Sequence, residues 1–160
     1  MRFGEPADIN GVAKFHSLFK LPVVEEPAIP SVDRIALRIS LLEEELNELR
    51  TAIRDNDLVE VADAFADLQY VLSGAILEFG LGGKFKDIFD EVQRSNMSKT
   101  CKTLEEAELT QKYYRDKRGM ESFIEKSGNE YLVYRKIDGK VLKSINYSPP
   151  DIKGILNIRK

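Results

Sequence analysis

The sequence predicts a mostly α-helical protein, an antiparallel helical bundle with a small β-hairpin appended near the C-terminus. Apolar residues recur at helical spacing from about Val32 to Arg54 and again from about Leu58 to Leu81. Only the turn RDND separates these stretches, and two long helices joined so tightly pack antiparallel. The hairpin is signalled further on, where short β-like runs alternate with SGN and DG turn residues.

Each element follows from local chemistry. Ile9, Val12, Ala13, Phe15, His16 and Phe19 fall at helical spacing and predict a short amphipathic helix near the start. LPVVEEPAIP, with three prolines, reads as an extended connector. Ser31 is placed to cap the first long helix, with Asp33 in its first turn suited to the helix dipole. Ile35, Ile39, Leu42, Leu46, Leu49 and Ile53 form that helix's apolar face, and Gly80, Gly82 and Gly83 supply the stop of the second. A third core helix is expected over about Phe85 to Asn96, with Phe85, Ile88, Phe89 and Val92 on one face. Beyond Lys99, TLEEAELTQKYYRDKRG is helix-prone, and ESFIEK, NEYLVYRKI and KVLKSI are β-like. Residues 1–99 are thus read as a helical core and residues 100–160 as an extension of the same domain.

Composition narrows the function classes. A chain of 160 residues has the length of one ordinary domain with a real core. Its 24 basic and 27 acidic residues leave a net charge of −3 and no basic footprint for nucleic acid. One cysteine, Cys101, precludes an internal disulfide and fits a reducing compartment. The N-terminal stretch carries charges throughout and lacks an apolar signal region, and the apolar run from Leu58 is interrupted by acids. The expectation is a cytoplasmic protein that engages neither membrane nor nucleic acid.

The candidate chemistry lies in LVEVADAFADLQYVLSGAILEFGLG, a run with four acids and no Lys or Arg. Glu60, Asp63 and Asp67, at i, i+3 and i+7, share an arc of about 60°. Ala64, Val71 and Gly74 border that stripe, whereas a solvated face would interleave cations for i, i+4 pairing. The preceding helix repeats the theme in LLEEELNELR with Glu44, Glu45 and Glu48. Antiparallel packing brings both patches to one cleft. Carboxylates converging there without bases are costly to desolvate unpaired, and a divalent cation resolves the conflict. Oxygen donors without a histidine at ligand spacing select Mg2+ or Mn2+ over zinc, and the lack of Glu-x-x-His argues against di-iron.

The pattern EE-x-x-E at Glu44, Glu45 and Glu48, followed by EVADAFADLQYV, resembles the all-α nucleoside triphosphate pyrophosphohydrolase superfamily, in its MazG-like, phosphoribosyl-ATP pyrophosphohydrolase-like branch. The resemblance extends through FHSLFKLPV, EVQRSNMSK and DGKVLKSINYSPPDI, with residues 100–130 looking like an insertion. It implies Mg2+-dependent hydrolysis of a nucleoside triphosphate to its monophosphate and pyrophosphate, by a homodimer or homotetramer. The implied metal ligands are Glu44, Glu45 and Glu48 with Asp63 and Asp67. The family's second motif is usually Glu-x-x-Asp, yet the residue three before Asp67 is Ala64. Either Asp63 substitutes one position along, or Glu60 and Asp63 supply the pair with Asp67 also present.

Glu45 lies about 60° off the line of Glu44 and Glu48 and is the expected general base for the attacking water. Asn96 and Lys99, in SNMSK, match the segment that the resemblance assigns to substrate contact. Tyr70 is expected to pack, and His16 to serve the core or an interface. Phe65, Leu68, Leu72, Ile76 and Phe79 form a stripe that a partner subunit could cover. Two other readings remain: phosphoribosyl-ATP pyrophosphohydrolase of histidine biosynthesis, and a non-enzymatic helical oligomerisation or adaptor module.

Overall fold

The computed structural model describes residues 3, 4 and 6–157. It is mostly helical with one antiparallel two-stranded sheet, the class the sequence predicts. In order the elements are α1 (Asp8–Leu18), α2 (Val32–Arg54), α3 (Leu58–Glu78), α4 (Phe85–Met97), α5 (Leu104–Arg118), β1 (Ser122–Ser127), β2 (Glu130–Arg135) and a short α6 (Ile152–Ile155). They form two compact units, one up to Phe85 and one from Lys86 onward. Almost all of α4, read from sequence as part of the helical core, therefore groups with the C-terminal elements.

In the first unit the RDND turn reverses the chain within a few residues. Asn56 takes the left-handed conformation (φ 54°), which asparagine tolerates better than most residues. Asp57 then caps α3, its carboxylate accepting from the N–H groups of Val59 at 3.0 Å and Glu60 at 3.2 Å. Ser31 occupies the corresponding place before α2 but makes no capping hydrogen bond through its side chain. α2 packs along α3, and α1 packs on α3 from another side. The buried residues are Val12, His16, Arg38, Leu49, Ala52, Ala64, the run Ser73–Glu78 and Gly80.

That list differs from the expected apolar faces. Ile39, Leu46 and Ile53 of α2 and Leu58, Phe65 and Leu72 of α3 are exposed. Each long helix has an apolar arc wider than the strip that its partner within the chain covers.

The connector between α1 and α2 is tied to the end of α3. Val24 N–H donates to the Leu77 carbonyl at 3.0 Å and Ala28 N–H to the Phe79 carbonyl at 3.1 Å, satisfying acceptors that a helix end otherwise leaves open. Gly80, at φ 68°, makes this possible, because a Cβ there would overlap the Glu26 carbonyl.

Beside it lies a buried ion cluster. Glu78 accepts from Arg34 Nε at 3.0 Å and from Arg38 Nη2 at 2.5 Å. Arg38 also donates to His16 Nε2 at 3.1 Å, while His16 Nδ1 donates to the Pro22 carbonyl at 2.8 Å, which fixes the imidazole as its neutral Nδ1–H tautomer. Gly74 leaves the room: a Cβ there would stand 2.7 Å from Arg38 Nη1. Burial pushes the Glu78 carboxyl up, and the two guanidiniums outweigh it and hold the group below the usual carboxylate range.

In the second unit, Thr103 caps α5 by accepting from Glu106 N–H at 3.1 Å. β1 and β2 pair in register from Ser122–Arg135 to Ser127–Glu130. Cys101, Ala107, Val133 and Leu142 form the core between α5 and the hairpin. Cys101 is fully buried and exchanges backbone hydrogen bonds with Tyr131 at 2.8 Å, which gives its thiol a packing role. KVLKSI, read as β-like, makes only an isolated bridge between Val141 and Tyr134. Leu142 donates to the Val133 carbonyl at 2.8 Å, and two residues on Ser144 N–H turns to the Lys99 carbonyl at 3.2 Å.

Replacing Glu78 with alanine would strand two guanidiniums in the α2–α3 seam. Loss of one partner from a buried pair typically costs about 3–5 kcal/mol, so a Glu78→Ala variant should melt far below the parent. A calorimetric Tm unchanged within error would refute this assignment.

Candidate active site

The same seam carries its remaining acids toward the RDND turn. α2 supplies Glu44, Glu45 and Glu48, and α3 supplies Asp63 and Asp67. Ala64 packs into the interface at 3% exposure, so the position that the family motif would give to an acid is an interhelical contact in this chain. Asp63 and Asp67 flank it and are exposed.

Glu45 is half-buried, and its Oε2 is shielded from solvent with no hydrogen-bond partner among the described residues. Burial pushes its carboxyl up, and the negative charges of Asp67, Glu48, Glu44 and Asp63 push it further. All five carboxylates thus share one electrostatic environment centred on Glu45. Glu60 is not among the groups acting on Glu45. It lines, with Glu44, Glu48, Asn47, Asp55 and Asp57, an adjoining cleft of about 600 Å³. Among the described residues, no three acids, histidines or cysteines stand in a metal-ligating arrangement.

The sequence showed four acids and no base on α3. The structure divides them: Glu78 is neutralised by Arg34 and Arg38 of α2, whereas Asp63 and Asp67 act on the carboxylate of Glu45 and form no salt bridge among the described residues. Sequence reasoning missed the Arg34–Arg38–Glu78–His16 cluster. The signal available was the i, i+4 spacing of two arginines at the start of α2, which antiparallel packing sets opposite the end of α3.

The other candidates fall elsewhere. Asn96 and Lys99 lie in the second unit and touch each other, Lys99 Nζ donating to Asn96 Oδ1 at 2.7 Å. Tyr70 packs edge-on against Phe15, with ring centroids 5.7 Å apart. His16, 2% exposed, belongs to the core.

The chain matches the family model described as phosphoribosyl-ATP pyrophosphohydrolase over residues 12–96, a span containing α2, α3 and every acid of the candidate site. It is also similar to an uncharacterized protein of Acanthamoeba polyphaga mimivirus, 22% identical over an alignment covering 96% of this chain and 91% of that protein. Among the described residues no helix is long and apolar enough to cross a membrane.

Because its carboxyl is raised in the fold, Glu45 binds its proton more tightly folded than unfolded. Stability is therefore lost as pH rises from the unfolded value, near 4.5, through the raised folded one. In a metal-free buffer at neutral pH, Glu45→Gln should raise Tm, with the gain vanishing at acidic pH. Melts across that range check this, and a variant less stable than the parent at neutral pH would contradict it.

Proposed function

Since this chain belongs to the phosphoribosyl-ATP pyrophosphohydrolase family, we propose that it is a Mg2+-dependent nucleoside triphosphate pyrophosphohydrolase, releasing pyrophosphate and a nucleoside monophosphate. The family supports pyrophosphohydrolase activity in general; the triphosphate substrate and the metal are the finer parts of this reading. The observation that carries it is the buried, unpartnered Oε2 of Glu45 amid four further carboxylates.

The donor set fits a hard divalent cation. It is all oxygen and anionic, and among the described residues no base forms a salt bridge with it, which suits Mg2+ or Mn2+. Glu44, Glu48, Asp63 and Asp67 would hold the metal, with Glu45 in the same group and Glu60 at the edge of the adjoining cleft. Bound there, the cation supplies charge neutralisation for a polyanionic substrate that bare carboxylates would repel.

The remaining work falls to the chain. Glu45, with its proton affinity raised by burial and neighbouring acids, accepts a proton from the attacking water. Water adds as the anhydride bond between the α- and β-phosphates breaks, leaving monophosphate and pyrophosphate. Asn96 and Lys99 contact the substrate in this reading, supported by the resemblance of SNMSK. The exposed apolar residues Phe65 and Leu72 support a homodimer or homotetramer, in which a second copy covers α3.

Pyrophosphate release from a panel of canonical and modified nucleoside triphosphates and phosphoribosyl-ATP, with and without Mg2+, tests the proposal. Metal-dependent release from nucleoside triphosphates is expected. Release from phosphoribosyl-ATP alone would transfer the chain to histidine biosynthesis, and no release at all would favour the adaptor reading. Glu45→Gln should lower kcat by at least about 10²-fold and retain Mg2+-dependent nucleotide binding. Loss of both together would make Glu45 a ligand.

A further inference from the structure

The second unit contains a cleft of a different character from the acidic one. It has a volume of about 560 Å³, within the range of small-molecule sites, and is lined by Tyr113, Tyr114 and Arg118 of α5 and by Lys143, Ile145 and Tyr147. No acid lines it. Among the described residues Arg118 and Lys143 form no salt bridge, in a chain whose net charge is −3. Three of the six tyrosines of the chain are gathered here.

The walls are held from behind. Tyr114 packs on the buried Cys101–Val133 core, and Tyr113 stands edge-on to it with centroids 5.3 Å apart. The opposite wall is irregular backbone that is nonetheless clamped. Ile145 N–H donates to Thr110 Oγ1 at 3.1 Å, and Ser148 N–H donates to Ser98 Oγ at 3.0 Å. Tyr147 OH accepts from Ser95 Oγ at 3.0 Å, and Lys143 Nζ sits 4.2 Å over the Tyr147 ring. The side chain of Ser144, 4% exposed, is bound to Glu106. Ordering this segment before a ligand arrives removes a cost that binding would otherwise carry.

Aromatic rings beside cations that make no salt bridge among the described residues match a ligand with one flat π-face and one anionic group. We propose that this cleft binds a nucleoside phosphate, its base against Tyr113 and Tyr147 and its phosphate between Arg118 and Lys143. Binding here needs no divalent metal, because the chain itself supplies the positive charge. The site does not depend on the acidic seam, so either reading can fail alone.

The chain has no tryptophan, so its intrinsic emission comes from tyrosine and reports stacking directly. The full-length protein, in EDTA, is titrated with AMP, GMP, CMP and UMP. At least one should quench emission saturably with Kd below about 1 mM. Tyr147→Leu and Lys143→Ala should each weaken binding by about tenfold or more. Circular dichroism checks that both variants are folded, and Arg118→Ala, an exposed change, serves as the second cation variant. Glu45→Gln should leave the affinity unchanged. Saturation by none of the four nucleotides would overturn the proposal. So would equal affinity for inorganic phosphate, loss of binding in Glu45→Gln, or full affinity in folded Lys143→Ala and Arg118→Ala.

Discussion

The antiparallel seam between α2 and α3 carries more negative charge than it can neutralise, and the first unit is organised around that imbalance. Two guanidiniums meet one carboxylate at the Glu78 end, and four carboxylates gather around that of Glu45 toward the other. Burial magnifies both arrangements. It strengthens the attraction at the paired end and turns the unpaired oxygen of Glu45 into a demand for a proton or a cation. The helices must come together for the core to form, and their contact creates the chemistry.

The paired end acts as the anchor. His16, held as a neutral tautomer between the Pro22 carbonyl and Arg38, ties α1 and the connector to the ion cluster. Gly74 leaves space for the guanidinium, and Gly80 lets the connector approach the carbonyls at the end of α3. These contacts fix the relative register of α2 and α3, which sets Asp63 and Asp67 opposite the Glu45 turn. A rigid scaffold beneath splayed, exposed carboxylates suits a site that must accept a highly charged ligand and release charged products.

The second unit solves a different problem. Its core is small, built from Cys101, Ala107, Val133 and Leu142, and its irregular C-terminal segment is stitched down by serine and threonine side chains rather than by strand pairing. Polar side chains fix backbone that has too little apolar surface to fix itself. Placing tyrosines, Arg118 and Lys143 beside that fixed backbone yields a cleft whose charge is opposite to that of the acidic seam.

Sequence alone determined the helices, because a 3.6-residue period of apolar side chains and a four-residue interruption are local facts. α2 spans Val32–Arg54 as read, and α3 begins at Leu58 where Asp57 caps it. It also determined that acids on both helices would meet, since the turn leaves only an antiparallel route. Tertiary structure decided which acids remain unpaired. Glu78 looks like Asp67 in the sequence, yet Arg34 and Arg38, some forty residues away, neutralise one and not the other. It also decided that Ala64 packs in the seam, that Glu60 faces a neighbouring cleft and that most of α4 groups with the hairpin. It likewise decided which halves of the apolar faces stay exposed. Periodicity states that a residue shares a face with others, but what covers that face depends on distant parts of the chain. Burial and pairing, which set the proton affinity of Glu45, exist only after folding.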